Sequence, residues 1–364
     1  MRRILFVIAR LNVGGTSQYL RELINGLEKA GYEVLVAVGN VQGAEVEDPA
    51  IVSMPVHRIP NLGRRISLFS DVQALFEIRK LIREFKPDLI YSHTFKAGLL
   101  VRLIPNKCTV IHCFHGHLLT DPEFSAWKIK LVIFVERFLE NRTRLLVTVG
   151  KRVAKELIEV GIGSEERYRS IAPGVRKLTL ENRETARREL GLDSELRPIV
   201  VWLARVTAVK APQRVAEIAR TIPEARFVLA GGGDLLDEIQ KNCPSNLSIV
   251  GWQPASRMWA IADLAISTSE NEGMPVALIE AQLAGLPVVA VDVGSVGEVI
   301  SDGETGFVFN SFGPEYIEKV RELVLSADSR EEIGDRAAVR ASYEFSTQRM
   351  VDSHIFLFKE ACEE

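Results

Sequence analysis

Between Ser267 and Ala290 the chain reads STSENEGMPVALIEAQLAGLPVVA, and no other stretch restricts its fold so tightly. A polar loop gives way to good helix formers from Val276 to Leu283, and Gly285 and Pro287 stop the run. Val288, Val289, Ala290 and Val291 then read as a short buried strand, so the segment is loop, helix, strand, the repeating unit of an α/β sheet. Pro275 suits the first turn of the helix, where a missing N–H costs nothing. Glu272 therefore falls in the loop and Glu280 in the second turn, with seven residues between them. The free N–H groups of a helix start attract anions. Two carboxylates beside an anion site suit a ligand that carries both phosphate and hydroxyls, a phosphorylated sugar. Taken singly, Glu272 as a cap and Glu280 as a solvated helix residue would be the simpler readings.

The same alternation runs along the whole chain. Ile4 to Ala9 is a buried strand, followed by the turn Asn12-Val13-Gly14-Gly15-Thr16-Ser17 and an amphipathic helix from Tyr19 to Ala30. A glycine turn of this kind lets backbone approach a phosphate and aims the helix start at it, although a plain tight turn reads equally well. It is not GxGxxG, and no acidic residue ends the next strand, Val34 to Val38, which disfavours a nicotinamide dehydrogenase. A helix from Asp71 to Phe85 leads to the strand Leu89–Ser92, and the strand Val110–Phe114 ends at His115-Gly116-His117. Ligands of open α/β sheets collect at the carboxyl ends of strands, which puts His93, Lys96, His115 and His117 where chemistry is expected. No further Cys, His or carboxylate nearby completes a recognisable zinc set, so no metal is expected there. After Ala172-Pro173-Gly174-Val175, a polar stretch to about Asn182 reads as a link. A second series follows: the strand Ile199–Ala204 leading to Arg205 and Lys210, the helix Gln213–Arg220, the strand Phe227–Ala230 ending in Gly231-Gly232-Gly233, the strand Leu247–Val250, and the strand Leu264–Ser267.

A chain of 364 residues suits two domains rather than one core. No segment reaches the roughly 20 apolar residues a spanning helix needs, and the opening Met1-Arg2-Arg3 with Ile4 to Ala9 reads as a strand rather than a signal peptide. The four cysteines, Cys108, Cys113, Cys243 and Cys362, show no CxxC spacing; reduced thiols in a cytoplasmic protein are expected. Charge is uneven: residues 1–170 hold 25 Lys+Arg against 18 Asp+Glu, or +7, while the remainder holds 20 against 30, or −10. A basic half suits an anionic membrane face or a phosphorylated acceptor, and equally suits mere solubility and attraction between domains. The helix read between Asp121 and Arg144 carries Trp127, Ile129, Leu131, Ile133, Phe134, Phe138 and Leu139 with Lys128, Lys130 and Arg137 among them. Core packing is the first reading, and a basic flank resting peripherally on the inner face of a membrane is the second; Arg64-Arg65 share that ambiguity.

The phrase from Glu272-Gly273 to Ala290 resembles the signature of the large group-one family of retaining glycosyltransferases, the glycogen-synthase-like enzymes, whose members carry an acidic residue, Gly and then "LEAxAxGxPVVA". The commonest family version has Phe-Gly where this chain has Met274-Pro275. Ala204-Arg205-Val206-Thr207-Ala208-Val209-Lys210-Ala211 is similar to the family's "GRLxxxKG", with both flanking glycines replaced by alanine, and Cys113-Phe114-His115 matches its "tFH". The resemblance implies a GT-B fold: an N-terminal Rossmann-like acceptor-side domain over 1–170, a C-terminal nucleotide-sugar domain over 171–346, facing across a cleft, and a helix from about 347 to 364 crossing back to the first. It implies transfer from a UDP- or GDP-linked sugar, with retention, to a glycan or lipid-linked acceptor in cell-envelope polysaccharide or glycoconjugate synthesis. Arg205 and Lys210 would bind the diphosphate, Glu280 the ribose hydroxyls, Glu272 with the Gly273, Met274 and Val276 amides the sugar ring, and His115 the sugar from the other domain. Pro275, Gly14, Gly15 and Gly232 complete the donor-binding set. No DxD triplet occurs, so no metal or other cofactor is expected, and the two cations would replace it. Nucleic acid is not an expected partner. A nucleotide-sugar epimerase of the same fold, or a binding protein without turnover, are the alternatives; cations and carboxylates kept in both halves argue against the latter.

Overall fold

Short runs of β-branched and apolar residues, bounded by turn formers, become parallel strands buried on both faces, and the amphipathic runs between them become the covering helices. The computed structural model describes residues 2–362 except 44, 64–66, 118, 120–124 and 193. Arg64 and Arg65, and the start of the helix expected from Asp121, lie outside the described residues.

The chain divides into two units, one of residues up to Gly174 together with Thr347 onward, the other Val175–Ser346. The division falls four residues beyond the one expected at 170.

The N-terminal unit runs β1 (Arg3–Ile8), α1 (Gly15–Lys29), β2 (Glu33–Val38), β3 (Val56–Arg58), α2 (Leu68–Phe85), β4 (Leu89–His93) and α3 (Phe95–Leu103). It continues with β5 (Thr109–Phe114), α4 (Ala126–Glu140), β6 (Leu145–Thr148), α5 (Lys151–Glu159) and β7 (Tyr168–Ser170). Its seven strands lie in the order β3-β2-β1-β4-β5-β6-β7. The C-terminal unit begins α6 (Arg183–Glu189), β8 (Ile199–Leu203), α7 (Gln213–Thr221), β9 (Arg226–Ala230), α8 (Leu236–Lys241), β10 (Leu247–Gly251), α9 (Ala255–Ile261) and β11 (Leu264–Ser267). It ends α10 (Val276–Leu283), β12 (Val288–Val291), α11 (Val296–Val299), β13 (Gly306–Phe309), α12 (Pro314–Leu325) and α13 (Ala327–Glu344). Its six strands lie in the order β10-β9-β8-β11-β12-β13. In each sheet the order reverses once, between β1 and β4 and between β8 and β11. A crevice opens at the carboxyl ends of the strands at such a point.

The last helix, α14 (Thr347–Cys362), belongs to the N-terminal unit. Met350, Val351, Leu357, Phe358 and Ala361 share a core with Phe6 and Ile8 of β1 and with Leu20, Leu23 and Leu27 of α1. A β-carbon at Gly26 would lie 2.2 Å from Val351 Cγ2, so the missing side chain is what lets α14 settle on α1.

The other face of that sheet is covered by α2, α3 and α4. Leu5 and Val7 of β1 pack on Ala74, Ile78 and Leu81 of α2 and on Ala97, Leu100 and Val101 of α3. Ile133 of α4 joins Phe114 and Leu146. The expectation that α4 is core-packed fails for its largest residues: Trp127, Leu131, Phe134 and Phe138 are exposed. A helix lying on a sheet can bury only one side, and here that side carries Ile133, Glu136 and Leu139.

Glu136 is buried because it pairs with Arg102 of α3 in a two-point contact of 2.8 and 2.9 Å, the two side chains being 2% and 0% exposed. Arg102 Nε also donates to the Gly98 carbonyl at 2.9 Å. Removing one partner strands a buried charge, whereas replacing both with apolar residues need not. We expect Glu136→Ala to cost about 3–5 kcal/mol in urea unfolding of the N-terminal unit, with the double replacement Arg102→Met/Glu136→Leu recovering most of it.

Candidate active site

At the switch point of the C-terminal sheet, β11 pairs with β8 through Leu264↔Val200 and Ala265↔Val201. The loops leaving their carboxyl ends are tied together before either reaches a helix. Trp202 Nε1 donates to Thr268 Oγ1 at 3.0 Å, Thr268 lies 3.0 and 3.1 Å from the Lys210 and Ala211 carbonyl oxygens, and Glu270 N–H donates to the Val209 carbonyl at 2.9 Å. Lys210 and Glu272 therefore meet, Nζ to Oε1, at 2.5 Å. Ser269 Oγ donates to the same carboxylate oxygen at 2.8 Å. The expectation gives Lys210 to the diphosphate and Glu272 to the sugar; in the structure the two form one ion pair. Arg205, on the same loop as Lys210, makes no side-chain hydrogen bond or ion pair among the described residues and is partly exposed. It is the unspent cation of the site.

Glu280 lies in the second turn of α10 and is buried, as are Met274 and Pro275. Pro275 takes the N-cap position, one residue ahead of the first helical turn where it was expected. Its φ of −77° with an extended ψ of 97° brings the chain into the helix at Val276, whose N–H has no intrahelical acceptor. Gly273 is held from behind by Ser295 N–H, which donates to its carbonyl at 2.9 Å. Close under this loop Gly294 takes φ +53°, and a β-carbon there would sit 1.8 Å from the Glu272 carbonyl oxygen. Gly232 is not simply a gap in the lining: a β-carbon there would meet Trp252 Nε1 at 2.4 Å, and its carbonyl accepts from Val206 N–H at 3.0 Å.

Ala211 marks one departure from the family phrase. It takes φ 47° and ψ 54°, the left-handed conformation that an L side chain adopts at a cost of about 1–2 kcal/mol. Glycine, which the family phrase has here, would relieve that strain at some loss of chain entropy. Ala211→Gly is expected to raise the thermal midpoint of the C-terminal unit by about 0.5–1 kcal/mol equivalent, read by calorimetry.

In the N-terminal unit the switch point between β1 and β4 holds an aromatic and imidazole cluster. His115 Nε2 and His93 Nδ1 are 2.9 Å apart and share one proton, and the ring of Tyr19 stands edge-on to His115 at 4.9 Å. His354 of α14 donates from Nδ1 to the Met350 carbonyl at 2.8 Å, so its Nε2 is an acceptor and the Tyr19 hydroxyl donates to it at 2.7 Å. Burial, and then the neighbouring His354, pushes His115 down to about 3; burial pushes His354 down to about 4. His93 and His112 are lowered well below the usual range, first by burial. His115 is thus a neutral hydrogen-bonding group near pH 7. Cys113 beside it has its thiol pushed up to about 12 by burial. Among the described residues, His93, Cys113 and His115 each bring a ligand atom within 4.8 Å of the others and could together hold a metal ion. Tyr19, Tyr91 and His354 have no sequence motif to announce them.

Two other residues expected at strand ends are held by carboxylates. Lys96 is buried against Asp71 at 2.5 Å, and His117 Nε2 lies 2.6 Å from Glu156 Oε2. Gly14 caps α1 at φ +151° with open space around its α-carbon, and Gly15 begins the helix, four residues earlier than expected. All four cysteines are free thiols.

Histidines that stay neutral when folded but protonate when unfolded make the unfolded chain bind more protons below pH 6.5, so stability falls with falling pH. For His93, His112, His115 and His354, all lowered first by burial, stability should decline between about pH 6.5 and 4.5 with a slope approaching four protons. Urea midpoints measured across that range check it, and His354→Gln should remove about one proton from the slope.

Residues 14–174 match the family described as glycosyl transferase 4-like domain, and residues 182–340 match glycosyl transferases group 1. The chain belongs to the group 1 glycosyltransferases. It is similar to the sulfoquinovosyl transferase SQD2 of Arabidopsis thaliana, 24% identical over 89% of this chain and 66% of that protein. It is also similar to the UDP-Gal:alpha-D-GlcNAc-diphosphoundecaprenol alpha-1,3-galactosyltransferase of Escherichia coli, 26% identical over 69% of each. Among solved structures, Anabaena Alr3699/HepE in complex with UDP and glucose superposes with a TM-score of 0.83 at 19% identity, covering 99% of this chain and 100% of that one. The fold is GT-B.

Proposed function

We propose that this glycosyltransferase moves a sugar from a nucleoside diphosphate sugar, UDP-linked in the first instance, to a glycan or lipid-linked acceptor of the cell envelope, with retention of configuration and without a metal. The observation that carries the reading is the pair of cations at the β8–β11 switch point, with Arg205 unpaired among the described residues and Lys210 held by Glu272. The names of the relatives support the substrate classes: one uses UDP-Gal and a diphosphoundecaprenol-linked acceptor, and HepE binds UDP.

In the reaction the bond from the sugar's anomeric carbon to the diphosphate oxygen breaks. The acceptor hydroxyl bonds to that carbon from the same face, and its proton passes to the departing diphosphate. Negative charge grows on the leaving group, so fixed cations stabilise the transition state more than the ground state. Arg205 is ready for this. Lys210 must exchange its carboxylate partner for the phosphate, and the exchange frees Glu272, still held by Ser269, to accept hydrogen bonds from the sugar hydroxyls. Glu280 takes the ribose hydroxyls, and neutral His115 serves as a hydrogen-bonding partner of the transferred sugar rather than as an acid. Retention here needs no glycosyl-enzyme intermediate, so the spacing rule for glycosidase carboxylates does not apply.

A panel of UDP- and GDP-sugars, with nucleoside diphosphate release followed with and without lipid-linked and glycan acceptors, tests the proposal. Arg205→Ala should lower kcat by about 10²–10³ with little change in nucleotide affinity. Glu280→Ala should act mainly on KM for the donor. Chelators should leave the rate unchanged, and NMR of the product should show the donor's anomeric configuration. Release that is indifferent to both substitutions would overturn it.

A further inference from the structure

Eight of the large apolar side chains exposed on this protein sit on just two helices, α2 and α4, and both present them away from the sheet. On α4 they are Trp127, Leu131, Phe134 and Phe138, and on α2 Leu68, Phe69, Val72 and Phe76, all between 53% and 85% exposed. At 3.6 residues per turn the α4 set falls within an arc of about 60°, opposite Ile133, Glu136 and Leu139, which face the sheet. The α2 set likewise opposes Ala74, Ile78 and Leu81. Residues 110, 112 and 114 of β5 alternate with 111 and 113, which belong to the core beneath α1 and α14. Phe114 therefore puts α4 on the same side of the sheet as α2 and α3. With α3 packed against both, the two stripes lie on the outside of one helical layer.

Cations frame these stripes. Lys128 and Lys130 are exposed and fall on either side of the α4 arc, and Arg83, with Lys80 in an exposed pair with Glu84 at 3.7 Å, continues the outward side of α2 beyond Phe76. No exposed carboxylate interrupts the α4 stripe, because Glu136 is turned inward onto Arg102. An apolar ridge with a tryptophan at its end and lysines along its flanks is built for the boundary between headgroups and acyl chains. There the rings enter the lipid while the long cationic stems reach back to anionic phosphates. A second copy of the chain fits less well, since a two-fold contact through this face would set its lysines against one another. No helix among the described residues is long and apolar enough to cross a membrane, so contact through this face would be peripheral.

We infer that the outward face of α2 and α4 docks the N-terminal unit on an anionic lipid bilayer, with Trp127, Phe134 and Phe138 as the inserted side chains of α4 and Lys128 and Lys130 as its headgroup contacts. Flotation of the full chain with vesicles of phosphatidylcholine containing about 30% phosphatidylglycerol, an anionic surface that attracts basic segments, measures it. Binding to these should exceed binding to pure phosphatidylcholine by about ten-fold and weaken in high salt. Phe134→Ser/Phe138→Ser and, separately, Lys128→Glu/Lys130→Glu should each reduce it by about ten-fold or more, with far-ultraviolet dichroism and melting temperature unchanged. Trp127→Phe should abolish the blue shift of tryptophan emission on vesicle addition. Equal vesicle binding by wild type and all variants would overturn the inference. So would a dimer, seen in sedimentation, that Phe134→Ser/Phe138→Ser dissociates while vesicle binding is absent. No donor or acceptor is present in these measurements, so failure here is separate from failure of the transfer reaction.

Discussion

The contact on which the C-terminal unit's chemistry depends is the parallel pairing of β8 with β11, two strands far apart in sequence and adjacent at the middle of the sheet. Because the connections from these strands leave toward opposite edges, their carboxyl ends are left without a crossing helix, and both loops project into the same space. Everything at the site follows from that pairing. The Thr268 and Glu270 bonds stitch the loops together, the stitched loops set Lys210 against Glu272, and the left-handed turn at Ala211 starts the chain toward α7. A site assembled this way leaves Arg205 without a side-chain partner among the described residues.

The N-terminal unit uses the equivalent point of its own sheet differently. Where the second unit gathers charge, the first gathers neutral rings. Tyr19, Tyr91, His93, His115 and His354 are linked to one another by hydrogen bonds and ring contacts, with His93 Nε2 left buried and without a partner among the described residues, and burial keeps each imidazole uncharged.

Much of this was legible in the residues. The extents of α10 and β12 follow from where Pro275, Gly285 and Pro287 interrupt an apolar run, and the structure has both where the sequence puts them. Strands buried on both faces are easy to find because nothing polar interrupts them. The start of α1 was hidden because Gly15-Thr16-Ser17 has turn chemistry as well as N-terminal helix chemistry. The outward apolar stripe of α4 was misread as core, since periodicity tells which side chains share a face but not which face meets the sheet when the helix is apolar on both. Long-range partnerships were not legible at all. Nothing local says that Lys210 reaches Glu272, or that Tyr19 donates to a histidine more than three hundred residues away, because such pairs are products of topology.

The seating of α14 on α1, with Gly26 yielding space to Val351, carries a consequence for how the protein is made. The hydrophobic core beneath α1 contains Met350, Val351, Leu357, Phe358 and Ala361, yet these residues are synthesised after the whole of the C-terminal unit. On the ribosome the second unit has its entire sequence first, and the first waits with one apolar flank of β1 and α1 uncovered until α14 emerges. The order of completion is the reverse of the order of translation, and any chain cut short after Ser346 has one finished unit and one that still lacks the lid of its core.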